Sequence, residues 1–175
     1  MRAAVVSDTH GHTEDIIRVL QRYEPDALFF LGDYCIDGER IAASLTPGIE
    51  WAQVAGNGDA FTDCSEPLER VVELGGRRFF LVHGHKYWVK HSLEYLAEKG
   101  SQLEVDVVLF GHTHIPFMAK TAEDMWIINP GSAAFPRGVE DASFVLLEWE
   151  DQKPVIPLLV DVATGVVLYS GDDVC

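Results

Sequence analysis

Five short apolar segments of this chain each run straight into a residue able to ligate a metal, which narrows the folds open to it. Arg2–Ser7 leads to Asp8 and His10, and Ala27–Leu31 leads to Gly32-Asp33. Trp51–Ala55 leads to Gly56-Asn57-Gly58-Asp59, Arg77–Val82 to His83, and Val105–Phe110 to Gly111-His112-Thr113-His114. Short apolar runs with β-branched and aromatic residues, bounded by turn residues, read as buried strands. Helical signals lie between them. Thr13–Tyr23 has acidic residues in its first turn and Ile16, Val19, Leu20 and Tyr23 on one face, and Pro25 ends it. Glu39–Leu45 predicts a short helix. Ser92 predicts the cap of another through Lys99, with Leu93, Leu96 and Ala97 inward and Gly100 as its stop. This alternation predicts an α/β sheet with a largely parallel core.

The second half is richer in strands. Gly75-Gly76 between Arg70–Leu74 and Arg77–Val82 signals a hairpin, with Arg77-Arg78 read as solvated. Ile115–Lys120, Trp126–Ile128, Phe144–Trp149, Val155–Val160 and Val166–Tyr169, with a turn at Thr164-Gly165, predict a second sheet packed on the first. No repeat or linker interrupts the 175 residues, so one domain, 1–175, is expected.

Charge bears on the partners. Thirteen basic and 28 acidic side chains give a net charge of −15, a field that repels nucleic-acid backbones and anionic membranes. A phosphate-bearing ligand would therefore need local positive charge, which a bound metal supplies. No apolar run is long enough to cross a membrane and the N-terminus does not read as a leader. Cys35, Cys64 and Cys175 are too few and scattered for a disulfide framework or a thiolate metal site. A soluble, cytoplasmic protein in a reducing compartment is the resulting expectation.

In open α/β sheets ligands bind beyond the carboxyl ends of strands, so Asp8, His10, Asp33, Asn57, His83, His112 and His114 are expected on one rim. Each fragment alone reads as an ordinary turn, and a lone His83 as a hydrogen-bonded core histidine. The ordered set reads otherwise. Imidazole, carboxylate and amide without thiolate suit Mn²⁺, Fe²⁺, Co²⁺, Ni²⁺ or Zn²⁺, and seven donors suit two ions better than one. Two ions polarise attacking and leaving oxygens in a displacement at phosphorus and acidify a bound water. Asp8, Asp33 and a bridging hydroxide reduce the four positive charges of two divalent ions to one, which a phosphodiester monoanion neutralises.

Ser7-Asp8-Thr9-His10-Gly11, Gly32-Asp33, Gly56-Asn57-Gly58-Asp59, His83-Gly84-His85, Gly111-His112-Thr113-His114 and Asn129-Pro130-Gly131-Ser132 resemble, in order, the motifs of the calcineurin-like metallophosphoesterases. The similarity is strongest to their small bacterial and archaeal phosphodiesterase branch. It implies a four-layer α/β/β/α sandwich, two mixed sheets flanked by helices. It also implies that Asp8, His10 and His114 hold one ion, that Asn57, His83 and His112 hold the other, and that Asp33 bridges them. A bridging hydroxide would then attack phosphorus in line, with Asp33, Asn57, His83 and Asp59 as the catalytic set and Mn²⁺ the first choice of metal. A small phosphodiester or nucleotide-like substrate is implied, and a homo-oligomer is compatible.

Where many family members carry His after the motif Asn, this chain has Gly58. Loss of that proton donor predicts a preference for phosphodiesters and acidic leaving groups over alkyl monoesters. His12 and His85 are the candidate substitutes. Asp59 is read as orienting the Asn57 loop. Asp37 either faces the site or caps Glu39–Leu45, and Arg137 either meets substrate phosphate, meets a subunit neighbour or lies on the surface. Cys35 is read as inert core and Asp172-Asp173 as a solvated tail. Two alternatives use the same fold: a scaffold without catalysis, similar to the retromer subunit of this fold, and a metal or nucleotide sensor.

Overall fold

The computed structural model describes residues 1–151 and 153–173, so Cys175 and the side chain of Asp173 lie outside the described residues. The chain runs β1 (Arg2–Val6), α1 (Glu14–Tyr23), β2 (Ala27–Phe30), α2 (Cys35–Ala43), β3 (Glu50–Gln53), β4 (Glu69–Leu74) and β5 (Arg77–Val82). It continues α3 (Glu94–Gln102), β6 (Val107–Phe110), β7 (Pro116–Lys120), β8 (Trp126–Pro130), β9 (Ser143–Glu148), β10 (Ile156–Asp161) and β11 (Val167–Ser170). One sheet has the order β11-β10-β9-β1-β2-β3 and the other β4-β5-β6-β8-β7. Both are mixed: β1, β2 and β3 run parallel, as do β5, β6 and β8, and antiparallel strands complete each sheet.

Side-chain alternation stacks these sheets. Along β1, Ala3 and Val5 face the other sheet and meet Phe79, Leu81, Leu109 and Ile128. Ala4 and Val6 face the opposite way, against Ile16, Val19 and Leu20 of α1 and Ile41 of α2. On the second sheet Phe80, Val108 and Phe110 turn outward against Leu96 of α3. Helix, sheet, sheet and helix therefore form four layers, as the family resemblance implied. Strands covered on both faces need continuous apolar sequence, which is why β1, β2, β5 and β6 stood out.

The division into sheets does not follow the halves of the chain. The hairpin β4–β5 lies in the second sheet, whereas β9–β11 return to the first, with β9 antiparallel to β1. Pairing partners are chosen by tertiary contact, and local pattern holds no record of it. Two helices also depart from expectation. α2 begins at Cys35, four residues early, so Asp37 sits within its first turn instead of capping it. α3 runs on through Gly100, which packs rather than stops it: an ideal Cβ there would lie 2.5 Å from Val108 Cγ2. Its N-cap position is Leu93, although Ser92 Oγ accepts the Glu94 N–H at 3.1 Å.

Arg77 and Arg78 are half-buried. Asp106 accepts the Arg77 guanidinium at 3.1 Å and the Arg78 backbone N–H at 2.7 Å. Asp172 is exposed, as expected. No helix among the described residues is long and apolar enough to cross a membrane.

The cysteine expectation is corrected. Cys35 and Cys64, 29 residues apart in sequence, form a disulfide with Cα atoms 6.0 Å apart. The turn Gly58–Phe61 and the segment after it bring Cys64 back against the start of α2, a proximity that spacing along the chain does not reveal. The cysteine argument for a reducing compartment accordingly falls.

Candidate metal centre

The candidate donors gather where β1, β2, β5 and β6 end. Sharp exits from these strands make that possible: Asp8, His10, Asp33, His112 and His114 all have positive φ, between +45° and +67°. Each such non-glycine residue costs about 1–2 kcal/mol, and such strain collects at functional sites. Close approach of the loops also demands glycine. An ideal Cβ on Gly56 would lie 2.2 Å from Asp33 Oδ1, and one on Gly111 would lie 2.1 Å from Ser7 Oγ.

Two overlapping groups of donor atoms result, Asp8–His10–His114 and Asp8–Asp33–His83. Asp8 Oδ1 lies 3.2 Å from His114 Nε2, 3.9 Å from His10 Nε2 and 4.0 Å from His83 Nε2. Asp33 joins the groups, its carboxylate 3.4 Å from His83 Nε2 and 3.9 Å from His10 Nε2. His112 belongs to neither close group, although its ring lies 5.1 Å from that of His83 and its N–H donates to Asp8 Oδ2. Asn57 is exposed at the edge of the site, in the loop where Gly58 N–H donates to Asp33 Oδ1 at 2.7 Å.

The donor set fits a metal on an observation independent of motif. Asp8 Oδ1 and His83 Nε2 are buried without a hydrogen-bond partner among the described residues, an arrangement that is costly unless something cationic completes it. Everything behind them is satisfied. Ser7 Oγ–H and His112 N–H donate to Asp8 Oδ2 at 2.6 and 3.0 Å. His83 Nδ1–H donates to the Leu31 carbonyl at 2.8 Å and His114 Nδ1–H to the Phe135 carbonyl at 2.7 Å. A carbonyl only accepts, so in each neutral ring the Nε2 lone pair faces the centre, as a metal ligand requires.

Proton affinities follow from this packing. Burial works to raise Asp8, but the close approach of His114 and the charge of His83 outweigh it and leave Asp8 below the usual carboxylate range. The neighbouring Asp8 carboxylate raises His114 against the effect of its burial. Burial, then the charges of His83 and Lys90, depress His112 to about 4. His85 is lowered too, by burial and then by His83 and Lys86.

Supporting residues hold the loops. Asp59 is buried with its carboxylate turned to backbone: Oδ1 accepts from Tyr34 and Cys35 N–H at 2.9 and 2.7 Å, and Oδ2 from Gly56 N–H at 2.8 Å. A third close group of donors, Cys35–Asp59–Cys64, has its sulfurs consumed in the disulfide. Asp37 neither faces the centre nor caps a helix; its Oδ2 accepts from Thr9 Oγ–H and Gly11 N–H, both at 2.7 Å.

Sequence reasoning assigned no task to Asn129 and Ser132. Asn129 Nδ2–H donates to the Gly111 carbonyl and Thr113 Oγ1, and Ser132 Oγ–H to the Asp8 carbonyl, so both brace loops carrying donors. The polar run Asn129-Pro130-Gly131-Ser132, at the end of an apolar strand, was the available signal. Of the candidate proton donors, His85 sits within 5.5 Å of the His83 ring, whereas His12 is exposed against Phe135.

Comparison with known proteins agrees with this geometry. Residues 1–152 match the calcineurin-like phosphoesterase superfamily domain. The chain is 29% identical over 157 residues to the probable metallophosphoesterase YsnB of Bacillus subtilis, covering 89% of each. It is 30% identical over 172 residues to the phosphodiesterase YfcE of Escherichia coli K12, covering 85% of this chain and 88% of that one. Its fold superposes on a predicted phosphoesterase of Streptococcus pneumoniae TIGR4 with a TM-score of 0.77 at 25% identity, covering 97% and 94% of the two chains. Wild-type Vps29 of Entamoeba histolytica, complexed with Zn²⁺, shares the fold with a TM-score of 0.78 at 24% identity, covering 97% of both chains. The chain belongs to the calcineurin-like phosphoesterase superfamily, in the branch of small phosphoesterases typified by YfcE and YsnB.

Proposed function

We propose that this protein is a dinuclear metal-dependent phosphodiesterase. The observation that carries the reading is the pair of buried, unpartnered atoms Asp8 Oδ1 and His83 Nε2, facing Asp33 across one centre. Asp8, His10 and His114 would hold one divalent ion, Asn57, His83 and His112 the other, and Asp33 both. Mn²⁺ is the first choice among the divalent ions that suit this donor set, with Ni²⁺, Co²⁺, Fe²⁺ and Zn²⁺ as the alternatives. Bound there, such ions supply positive charge against the phosphoryl oxygens and lower the pKa of water. The protein's own part is to hold each donor lone pair inward through the Leu31 and Phe135 carbonyls and the Ser7 hydroxyl.

Leaving groups that need no proton suit this site. Gly58 offers no side chain, and the lowered proton affinity of His85 leaves it neutral near pH 7, a poor general acid. A small phosphodiester with an acidic leaving group is therefore the preferred substrate class.

The test is hydrolysis of bis-p-nitrophenyl phosphate against p-nitrophenyl phosphate by metal-stripped protein, with Mn²⁺, Ni²⁺, Co²⁺ or Zn²⁺ restored. Metal-dependent diester cleavage, lost in Asp33→Ala and His83→Ala, is expected. No turnover with any metal, while two ions still bind, would transfer the assignment to a non-catalytic scaffold or sensor. Gly58→His is to be judged against Gly58→Ala, because a Cβ there would lie 3.1 Å from Asp33 Oδ1 and strain that ligand by itself.

A further inference from the structure

Beside the donor centre lies a cavity of about 400 Å³, within the size range of small-molecule sites. Phe110, only 2% exposed, forms its floor, and Leu93, Ile115 and Phe117 form apolar walls. Thr113, between His112 and His114, also lines it, so the cavity reaches the loop that carries two of the candidate donors. Ile115 and Phe117 are 47% and 39% exposed, so their apolar surface is open to a ligand.

Two cations border this apolar space. Lys90 and Arg137 line the cavity, and both are exposed. Eight of the thirteen basic side chains are ion-paired, yet these two make no ion pair among the described residues, in a chain of net charge −15. An apolar cleft bordered by unpaired positive charge complements an apolar group that is itself anionic. A second copy of this chain, bringing a further −15, fits it less well than a small aromatic anion.

We propose that this cavity is a binding site for one ester arm of the substrate, an aromatic-sized apolar group bearing its own negative charge, with Lys90 and Arg137 neutralising that charge. The name ester arm rests on the phosphodiesterase reading; the preference for an aromatic anion does not.

The experiment is calorimetric titration of chelator-treated protein with 1-naphthyl phosphate and, separately, inorganic phosphate, so that neither metal nor turnover enters the readout. 1-Naphthyl phosphate is expected to bind about tenfold more tightly than inorganic phosphate, through the ring surface it buries. Phe117→Ser should weaken 1-naphthyl phosphate about five- to tenfold and leave inorganic phosphate unchanged. Arg137→Ala and Lys90→Ala should each weaken it by a similar factor; both residues are exposed, so the test survives if Phe117→Ser lowers Tm.

Equal affinity for the two anions, or wild-type affinity in all three variants, would overturn the proposal. So would a dimer in sedimentation that Phe117→Ser dissociates, since a second copy would then own the cavity. The two readings fail separately. Variant-sensitive binding without hydrolysis by metal-loaded protein keeps the aromatic-anion site and removes the phosphodiesterase; diester hydrolysis with variant-insensitive binding does the reverse.

Discussion

The Thr9 hydroxyl donates to Asp37 Oδ2 at 2.7 Å, and through that bond the loop carrying Asp8 and His10 is fastened to the first turn of α2. The same oxygen accepts the Gly11 N–H at 2.7 Å, so one buried carboxylate fixes both ends of a three-residue span containing His10. Asp37→Ala removes two charge-assisted hydrogen bonds and should cost about 2–4 kcal/mol. Chemical denaturation measures that cost, and titration with Mn²⁺ should show weakened binding, since His10 loses its support. Thr9→Val should reproduce part of both effects; wild-type metal affinity in Asp37→Ala would refute the positioning role.

Asp59 performs the corresponding task for the loops after β2 and β3. Asp59→Ala would leave the N–H groups of Tyr34, Cys35 and Gly56 without their acceptor, a loss of about 3–5 kcal/mol. Asp59→Asn should lose less. Its carbonyl oxygen can keep the Tyr34 and Cys35 bonds, while its amide presents a donor to the Gly56 N–H. Urea denaturation of both variants checks the order Ala below Asn below wild type.

Acid should destabilise the metal-free protein through His112. Folded, this histidine protonates only near pH 4; unfolded, it does so near its ordinary value of 6.5. Between those values the unfolded chain binds more protons, so stability falls as pH drops from about 6.5 to about 4 and the contribution levels off below. His114 has the opposite sense. Raised by Asp8, it contributes fully below 6.5 and loses that contribution as pH rises through its folded value. Denaturation of chelator-treated protein between pH 4.5 and 8 should show a flatter acid limb in His112→Asn than in wild type, and an unchanged slope would contradict the assignment.

The Cys35–Cys64 disulfide closes a loop that contains β3 and the Asn57 turn. For a separation of 29 residues the loss of unfolded-chain entropy corresponds to about 3–4 kcal/mol. Reduction, or Cys64→Ser, should therefore lower Tm measurably. Equal Tm values with and without reductant, after mass spectrometry has confirmed the bond, would count against a stabilising role.

The sequence by itself determined the buried strands and the metal-capable residues at their ends. Ala27–Leu31 read as a buried strand because the apolar run is strand-sized and is stopped by Gly32-Asp33, and the structure gives Ala27–Phe30. Asp8, His10, Asp33, His83 and His114 were legible for the same reason: a residue just past a buried strand stands at the sheet's edge wherever that strand is placed. Long-range proximity was not legible. The return of β9 to β1, the pairing of Cys35 with Cys64, and the passage of α3 through Gly100 each depend on groups distant in sequence. So do the tasks of Asp37 and Asp59, whose partners are backbone N–H groups that every residue type except proline offers. Strand pattern is written locally in side-chain polarity, whereas the choice of neighbour is made by packing, and only the tertiary structure carries that information.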